Sequence, residues 1–343
     1  MTDPAVLALA LRAIEGKWER MPGGGFSDKA TVSMITGGGS DRHFLRVEEE
    51  GLSAVVLVQP EGGPEFERYI RIGDFLRENG IPVPKFYAVC EDGAVVMEDL
   101  GDIHLVDTLA EADQQAELAF YRDCIDILFR LQTTVTVAAD GTGILDDMIF
   151  SREILLGETN YFAREFVVNY AGLETPAGWD EERKELATEL TSHPAVFMHR
   201  DFQSRNIIVK DGNLRILDFQ TAHRGPGMYD VASLLKDPYH PVETGTRKTL
   251  LMELYYRFTG DDPEPEGGFE AFKDRFVLAG IQRNMQALAA FSFLGVKKDK
   301  KEFLEYIRPG LGLLEEGLTE SGRFPVTSDL VARMLDKIIE RND

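Results

Sequence analysis

The hydrophobic period of this chain changes once, at Leu100-Gly101, and that change limits the folds open to it. Before it, apolar and β-branched residues come in short runs at 30–35, 43–47, 53–58, 86–90 and 94–97, separated by glycine, proline and aspartate. Such runs read as strands. Two stretches depart from that pattern. Residues 5–18 carry Val6, Leu7, Leu9, Ala10, Ala13 and Ile14 on one helical face, and 65–79 carry Phe66, Tyr69, Ile70, Gly73 and Leu76 on another. Gly80 and Pro82 stop the second. After Leu100-Gly101 the spacing is that of long helices, at 114–132, 269–293, 302–318 and 328–341, interrupted by short apolar strands at 196–198, 207–209 and 214–217. The predicted class is α+β, with a small β-rich lobe over 1–100 and a larger helical lobe over 101–343.

At 343 residues, 43% hydrophobic and 28% charged, the chain has enough apolar surface for a self-sufficient core, which excludes disorder. Its 37 basic and 59 acidic residues leave a net charge of −22, which repels nucleic acid. The longest basic cluster, Lys297, Lys298, Lys300 and Lys301 around Asp299, reads as a solvated turn. Cys90 and Cys124 are too few for a disulfide scaffold or a four-ligand zinc site and read as core residues. His104, His193 and His240 fit no metal spacing and read as loop or cap residues. No basic start precedes an apolar run at Met1-Thr2-Asp3-Pro4, and no run of 18 apolar residues occurs. The expectation is a cytoplasmic protein with neither membrane nor nucleic-acid partners.

The chemistry is concentrated in His199-Arg200-Asp201-Phe202-Gln203-Ser204-Arg205-Asn206, followed twelve residues later by Asp218-Phe219-Gln220. The order His-Arg-Asp, four residues, Asn, then a further Asp is that of a phosphoryl-transfer loop. Such a reaction needs an oriented hydroxyl and neutralised phosphate charge. Asp201 is placed to accept the hydroxyl proton, and Asn206 and Asp218 offer hard oxygens to Mg2+. The runs at 207–209 and 214–217 flank Lys210-Asp211-Gly212-Asn213, a hairpin turn that brings Asn206 and Asp218 to one end.

These motifs resemble the aminoglycoside phosphotransferase/choline kinase superfamily, small-molecule relatives of the protein kinases. The segment from Gly225-Pro226-Gly227 through Tyr229-Asp230 to Leu234-Leu235 is similar to the element that follows in that family, where the aspartate braces the catalytic loop. Leu217-Asp218-Phe219-Gln220, Gly225-Pro226 and Gly280-Ile281-Gln282-Arg283-Asn284 resemble most the bacterial N-acetylmuramate/N-acetylglucosamine anomeric kinases of cell-wall recycling. The resemblance runs from about Gly37 to about Pro309. It implies a two-lobed, protein-kinase-like fold, ATP as phosphoryl donor with GTP not excluded, Mg2+, and a sugar 1-phosphate as product. By the same resemblance Gly37, Gly38, Gly39 and Ser40 cover the phosphates, and Met97, Glu98, Asp99 and Leu100 form the adenine-binding hinge.

One departure stands out. Kinases carry a lysine on the third strand, paired to a glutamate of the first helix. The run at 53–58 has none, so the missing charge is assigned to Arg42 or Arg46, or else Mg2+ supplies most of the neutralisation. Arg205, Arg224, Gln282 and Arg283 are read as lining the acceptor site, the last two because they interrupt an apolar helix. An aminoglycoside, choline-like or other amino-alcohol kinase is the alternative enzyme, favoured by the acidic bulk charge. A nucleotide-binding pseudokinase is the alternative that the missing lysine favours. Asp-Phe-Gln in place of Asp-Phe-Gly, with no Ala-Pro-Glu after it, speaks against a protein kinase.

Overall fold

In the computed structural model, which describes residues 4–15, 21, 25–27, 29–35, 42–60, 62–90, 92–260 and 267–342, the β-branched runs pair as one antiparallel sheet. Helix α1 (Pro4–Ile14) precedes β1 (Thr31–Met34), β2 (His43–Glu49) and β3 (Leu52–Val58); α2 (Pro64–Glu78), β4 (Phe86–Cys90) and β5 (Ala94–Glu98) follow. The strand order is β1-β2-β3-β5-β4, so β3 is central, and it is buried without interruption from Ala54 to Val58. The period of two assigns its faces. Ala54, Val56 and Val58, with Ala94 and Val96, pack on Val6, Leu9, Ala10 and Ala13 of α1. On the opposite face Met97 meets Tyr69 of α2, whose hydroxyl lies 3.4 Å from the thioether sulfur.

The rest of the chain is helical: α3 (Leu105–Glu111), α4 (Gln114–Arg130), α5 (Thr136–Ala139), α6 (Arg152–Tyr161) and α7 (Trp179–Thr191). Four short strands come next, β6 (Ala195–Met198), β7 (Ile207–Lys210), β8 (Asn213–Ile216) and β9 (His223–Pro226). Helices α8 (Met228–Leu235), α9 (Thr244–Thr259), α10 (Gly268–Ser292), α11 (Ile307–Ser321) and α12 (Pro325–Asn342) close the chain. Helix α10 is buried at every position from Phe276 to Met285, as a helix surrounded by others must be. The predicted helix at 114–132 does not end where expected. Leu131–Val135 is a π-helical turn, and the Thr136 hydroxyl donates to the Leu131 carbonyl at 2.9 Å while accepting the Phe197 N–H at 2.9 Å.

The β7–β8 hairpin turns at Asp211 (φ 51°) and Gly212 (φ 72°), the left-handed pair that a two-residue hairpin requires. Its backbone bonds run to the sheet: Val209 N–H to Ile103 O at 2.9 Å and Ile216 N–H to Pro82 O at 2.8 Å. One compact unit therefore comprises Met1–Ile103 with Ile207–Gln220, and the other His104–Asn206 with Thr221–Asp343. This hairpin is what separates the observed grouping from a division at residue 100. Among the described residues no helix is long and apolar enough to cross a membrane.

Gly73 of α2 lies against two rings. A Cβ there would stand 2.6 Å from Phe86 Cζ and 3.0 Å from Phe219 Cε2. Overpacking of a tight core site costs about 1–3 kcal/mol. Gly73→Ala is expected to lower stability by that amount, read as a reduced thermal midpoint; an unchanged midpoint would show that the rings yield freely.

Candidate active site

Strand β6 delivers the chain into His199-Arg200-Asp201, and a single buried carboxylate fixes the turn that follows. Asp230, in the first turn of α8, accepts the His199 N–H at 2.6 Å and the Arg200 N–H at 2.8 Å, one on each oxygen. Arg200 has φ 78°, the left-handed conformation that aims consecutive N–H groups at one acceptor. Asp230 is fully buried, and loss of hydration pushes its carboxyl up to about 7 despite those two bonds. A second buried aspartate holds the far side of the loop. Asp237 accepts the Ser204 N–H at 2.8 Å and its hydroxyl at 2.7 Å, and burial also raises this carboxyl. The Asn206 amide donates to the Asp201 carbonyl at 2.9 Å, so the amide oxygen is the atom left to meet a cation.

The remaining residues read as site-lining take several positions within the helical unit. Arg283 is brought to Asp201. Its Nε donates to Ser233 Oγ at 2.9 Å and Nη2 to Gln203 Oε1 at 2.6 Å, with Asp201 Oδ1 3.5 Å away. Gln282 is fully buried and donates to Leu155 O at 3.0 Å and Glu158 Oε2 at 3.1 Å. Gln282 thus joins α10 to α6, and Arg283 joins it to α8 and to Gln203 of the loop. Arg205 stacks on the rings of Tyr239 (4.4 Å) and Tyr306 (4.9 Å) and donates to the Tyr306 hydroxyl at 2.8 Å. Arg224 pairs with Asp140 at 2.6 Å.

Three participants carried no sequence signal: Ser204, Asp237 and Glu158. Glu158 of α6 accepts the Tyr229 hydroxyl at 3.0 Å and lies 3.6 Å from the Arg200 guanidinium; burial raises its carboxyl. Nothing in the spacing of α6 distinguishes it from an exposed helical glutamate.

Asp218 belongs to the sheet unit. It follows β8 with φ 58°, and the Gln220 amide lies 3.4 Å from its Oδ1. The next residue, Phe219, is fully buried and stacks on Tyr69 at 4.9 Å. Burial raises the Tyr69 phenol, the charge of Asp218 adds to the effect, and that of Arg42 opposes it. Both charges are thus felt at this one ring. The Arg42 guanidinium lies 5.8 Å from the Tyr69 centroid and 3.8 Å from Glu65 at the start of α2. Arg46 is committed elsewhere, bonded to both oxygens of Asp99 (2.8 and 3.1 Å) and of Asp102 (2.7 and 2.8 Å). Of the residues assigned to the hinge, Met97 and Leu100 are buried. Lys210 Nζ lies 3.3 Å from Glu98 and donates to the Asp99 carbonyl at 2.7 Å. Gly37, Gly38, Gly39 and Ser40 lie outside the described residues.

A family model described as the phosphotransferase enzyme family, APH, matches residues 31–261. The chain belongs to this family. It is 27% identical over 301 residues to the N-acetylmuramate/N-acetylglucosamine kinase of Pseudomonas aeruginosa, covering 86% of each protein. To the enzyme of the same name from Neisseria meningitidis serogroup B it is 29% identical over 284 residues, 78% of this chain and 81% of that one. Its fold matches a Ralstonia eutropha protein assigned as an aminoglycoside phosphotransferase, with a TM-score of 0.64 at 15% identity over 94% of this chain and 98% of that one. A choline/ethanolamine kinase family protein of Mesorhizobium loti gives 0.57 at 14% identity, over 96% and 99%. The fold is therefore the protein-kinase-like one of the APH phosphotransferases and choline kinases, and the chain is a small-molecule kinase.

In this phosphotransferase the Asp230 brace generates a test. Asp230→Asn places an NH2 group against the N–H of His199 or Arg200. Losing a hydrogen bond to a charged group costs about 1.5–3 kcal/mol, so kcat is expected to fall by roughly 10- to 150-fold with a smaller change in KM. An unchanged kcat in steady-state kinetics would remove Asp230 from the account. In the wild type, kcat is expected to drop as pH falls through about 7 and the carboxylate takes its proton. Stability runs the other way. A folded pKa above the ordinary aspartate value contributes stability that is complete below that ordinary value and is lost as pH rises through about 7.

Proposed function

We propose that the chain transfers the γ-phosphoryl group of ATP to the anomeric hydroxyl of an N-acetylated amino sugar, N-acetylmuramate or N-acetylglucosamine, giving a sugar 1-phosphate. The observation that carries this reading is the loop bearing Asp201, held in place by two buried aspartates, in a chain whose relatives are named for those two sugars.

Asp201 keeps its side chain about one-third exposed while the backbone around it is bonded down. It orients the sugar hydroxyl and takes its proton as the oxygen attacks phosphorus. Arg283, 3.5 Å from the carboxylate, restricts its swing. Asn206 and Asp218 supply the oxygen donors for Mg2+, an ion that keeps several waters and takes few protein ligands. That donor chemistry fits, because the Asn206 amide is oriented by its bond to the Asp201 carbonyl. The ion, when bound, neutralises phosphate charge. Arg42 takes the part of the absent third-strand lysine, since the guanidinium of Arg46 is saturated by two carboxylates. Gly37–Ser40 cover the phosphates, and the backbone at Met97–Leu100 receives the adenine.

The decisive experiment is an ADP-release assay with Mg-ATP across N-acetylglucosamine, N-acetylmuramic acid, glucose, an aminoglycoside and choline, with the product read by phosphorus NMR. An anomeric phosphate on an N-acetylated sugar is expected; turnover confined to the aminoglycoside or choline would replace the acceptor. Asp201→Asn should lower kcat by about 10²–10⁴-fold, the usual contribution of a positioned base. Asp218→Ala should abolish the dependence of nucleotide binding on Mg2+, and an unaltered Mg2+ titration would sink its assignment. Arg42→Met is expected to raise KM for ATP by about tenfold or more while leaving that for the sugar nearly unchanged.

A further inference from the structure

Lys236, the residue immediately after α8, is routed through the interior of the helical unit. Its side chain is 1% exposed. Helices α10 and α11 each carry a glycine where it passes. A Cβ at Gly280 would stand 2.6 Å from Lys236 Cδ, and one at Gly317 would stand 3.4 Å from Nζ. At the end of this passage Nζ has no hydrogen-bond partner among the described residues. The nearest carboxylate, Glu320, is 3.9 Å away and is itself bonded to Lys273 at 2.9 Å. A buried polar group without a partner is unfavourable. What Nζ meets there is the face of Phe276, 5.5 Å from the ring centroid, and Glu320 at the edge of ion-pair distance, so its hydrogen-bonding capacity is unused.

Lys236 lines a cavity of about 220 Å³, to which no residue of the loop 199–206 contributes. Leu251, Phe269 and Phe276 give it an apolar wall. Arg247, Lys248 and Lys273 stand around it with Glu270, Glu316 and Glu320, three cations against three carboxylates before Lys236 is counted.

We propose that this cavity is a second binding site, for a small organic acid with one carboxylate and an apolar body, whose carboxylate pairs with Lys236 Nζ. The charge balance sets the class. Lys236 adds one positive charge to an otherwise balanced wall, which a single entering carboxylate matches. A doubly charged anion leaves one negative charge unmatched. Burial lowers the Lys236 pKa, with Arg247 and Lys273 adding to it and Glu316 and Glu320 opposing. Glu320 is 30% exposed and held by Lys273, so its carboxylate is the group that an entering one would displace from Nζ.

The test is calorimetric titration of the full chain with benzoate, with benzamide and inorganic phosphate as controls. Benzoate is expected to saturate one site and to bind at least about tenfold more tightly than either control. Lys236→Met should weaken benzoate by about tenfold or more and leave benzamide unchanged. Lys248 is exposed on α9, so Lys248→Glu keeps the fold while reversing a charge at the cavity, and it too should weaken benzoate. It decides the matter if the Lys236 variant does not fold. Absence of saturable binding, equal affinity for benzamide, tighter binding of phosphate, or benzoate affinity unmoved in Lys248→Glu overturns the proposal.

Discussion

Two consecutive backbone N–H groups aimed at one buried carboxylate set the geometry on which the rest of the site depends. The bonds of Asp230 to His199 and Arg200 require Arg200 to sit at φ 78°, a conformation costing about 1–2 kcal/mol for a residue with a Cβ. The carboxylate offsets that cost, and it does so from inside a dry environment where such bonds are strong. The direction of Asp201, the next residue, follows from this turn. Asp237 repeats the device at Ser204, three residues before β7 begins at Ile207. The loop is thus shaped by two buried carboxyl groups that its own backbone reaches.

Helix α10 shows why polarity inside a core is an ambiguous sign. Gln282-Arg283-Asn284 lies in a stretch buried on every side, so each polar group has to be paired or carry a penalty. Gln282 reaches Glu158 and the Leu155 carbonyl, Arg283 reaches Ser233 and Gln203, and Asn284 returns to the Gly280 carbonyl at 3.0 Å. The cluster links α6, α8 and the catalytic loop into one hydrogen-bonded body.

Much of the fold was legible because its signals are local. The strands of the sheet, the helix stopped by Gly80 and the Asp211-Gly212 turn follow from periodicity and backbone preference, and the observed bounds differ from the expected ones by a residue or two. In the candidate site, spacing is what singles out Asp201, Asn206 and Asp218. The site was illegible where a role depends on distant chain. Glu158 and Asp237 act through residues 42 and 33 positions away, on Arg200 and Ser204, and no short window contains both partners. The choice between Arg42 and Arg46 likewise needed Asp99 and Asp102, which no pattern near β2 announces.

The π-helical turn at Leu131–Val135 has a consequence for how this chain can vary. It holds one residue more than an α-helix would use over the same rise, and Thr136 is fixed on its far side by the N–H of Phe197. Loss of a single residue there would rewind the segment to regular helix over the same rise and leave Tyr121, Ile125 and Leu128 on the faces they bury now. A further inserted residue has no such turn left to absorb it and would rotate everything before it by about 100°. Shortening by one residue is therefore compatible with the buried face of α4, whereas lengthening should be selected against.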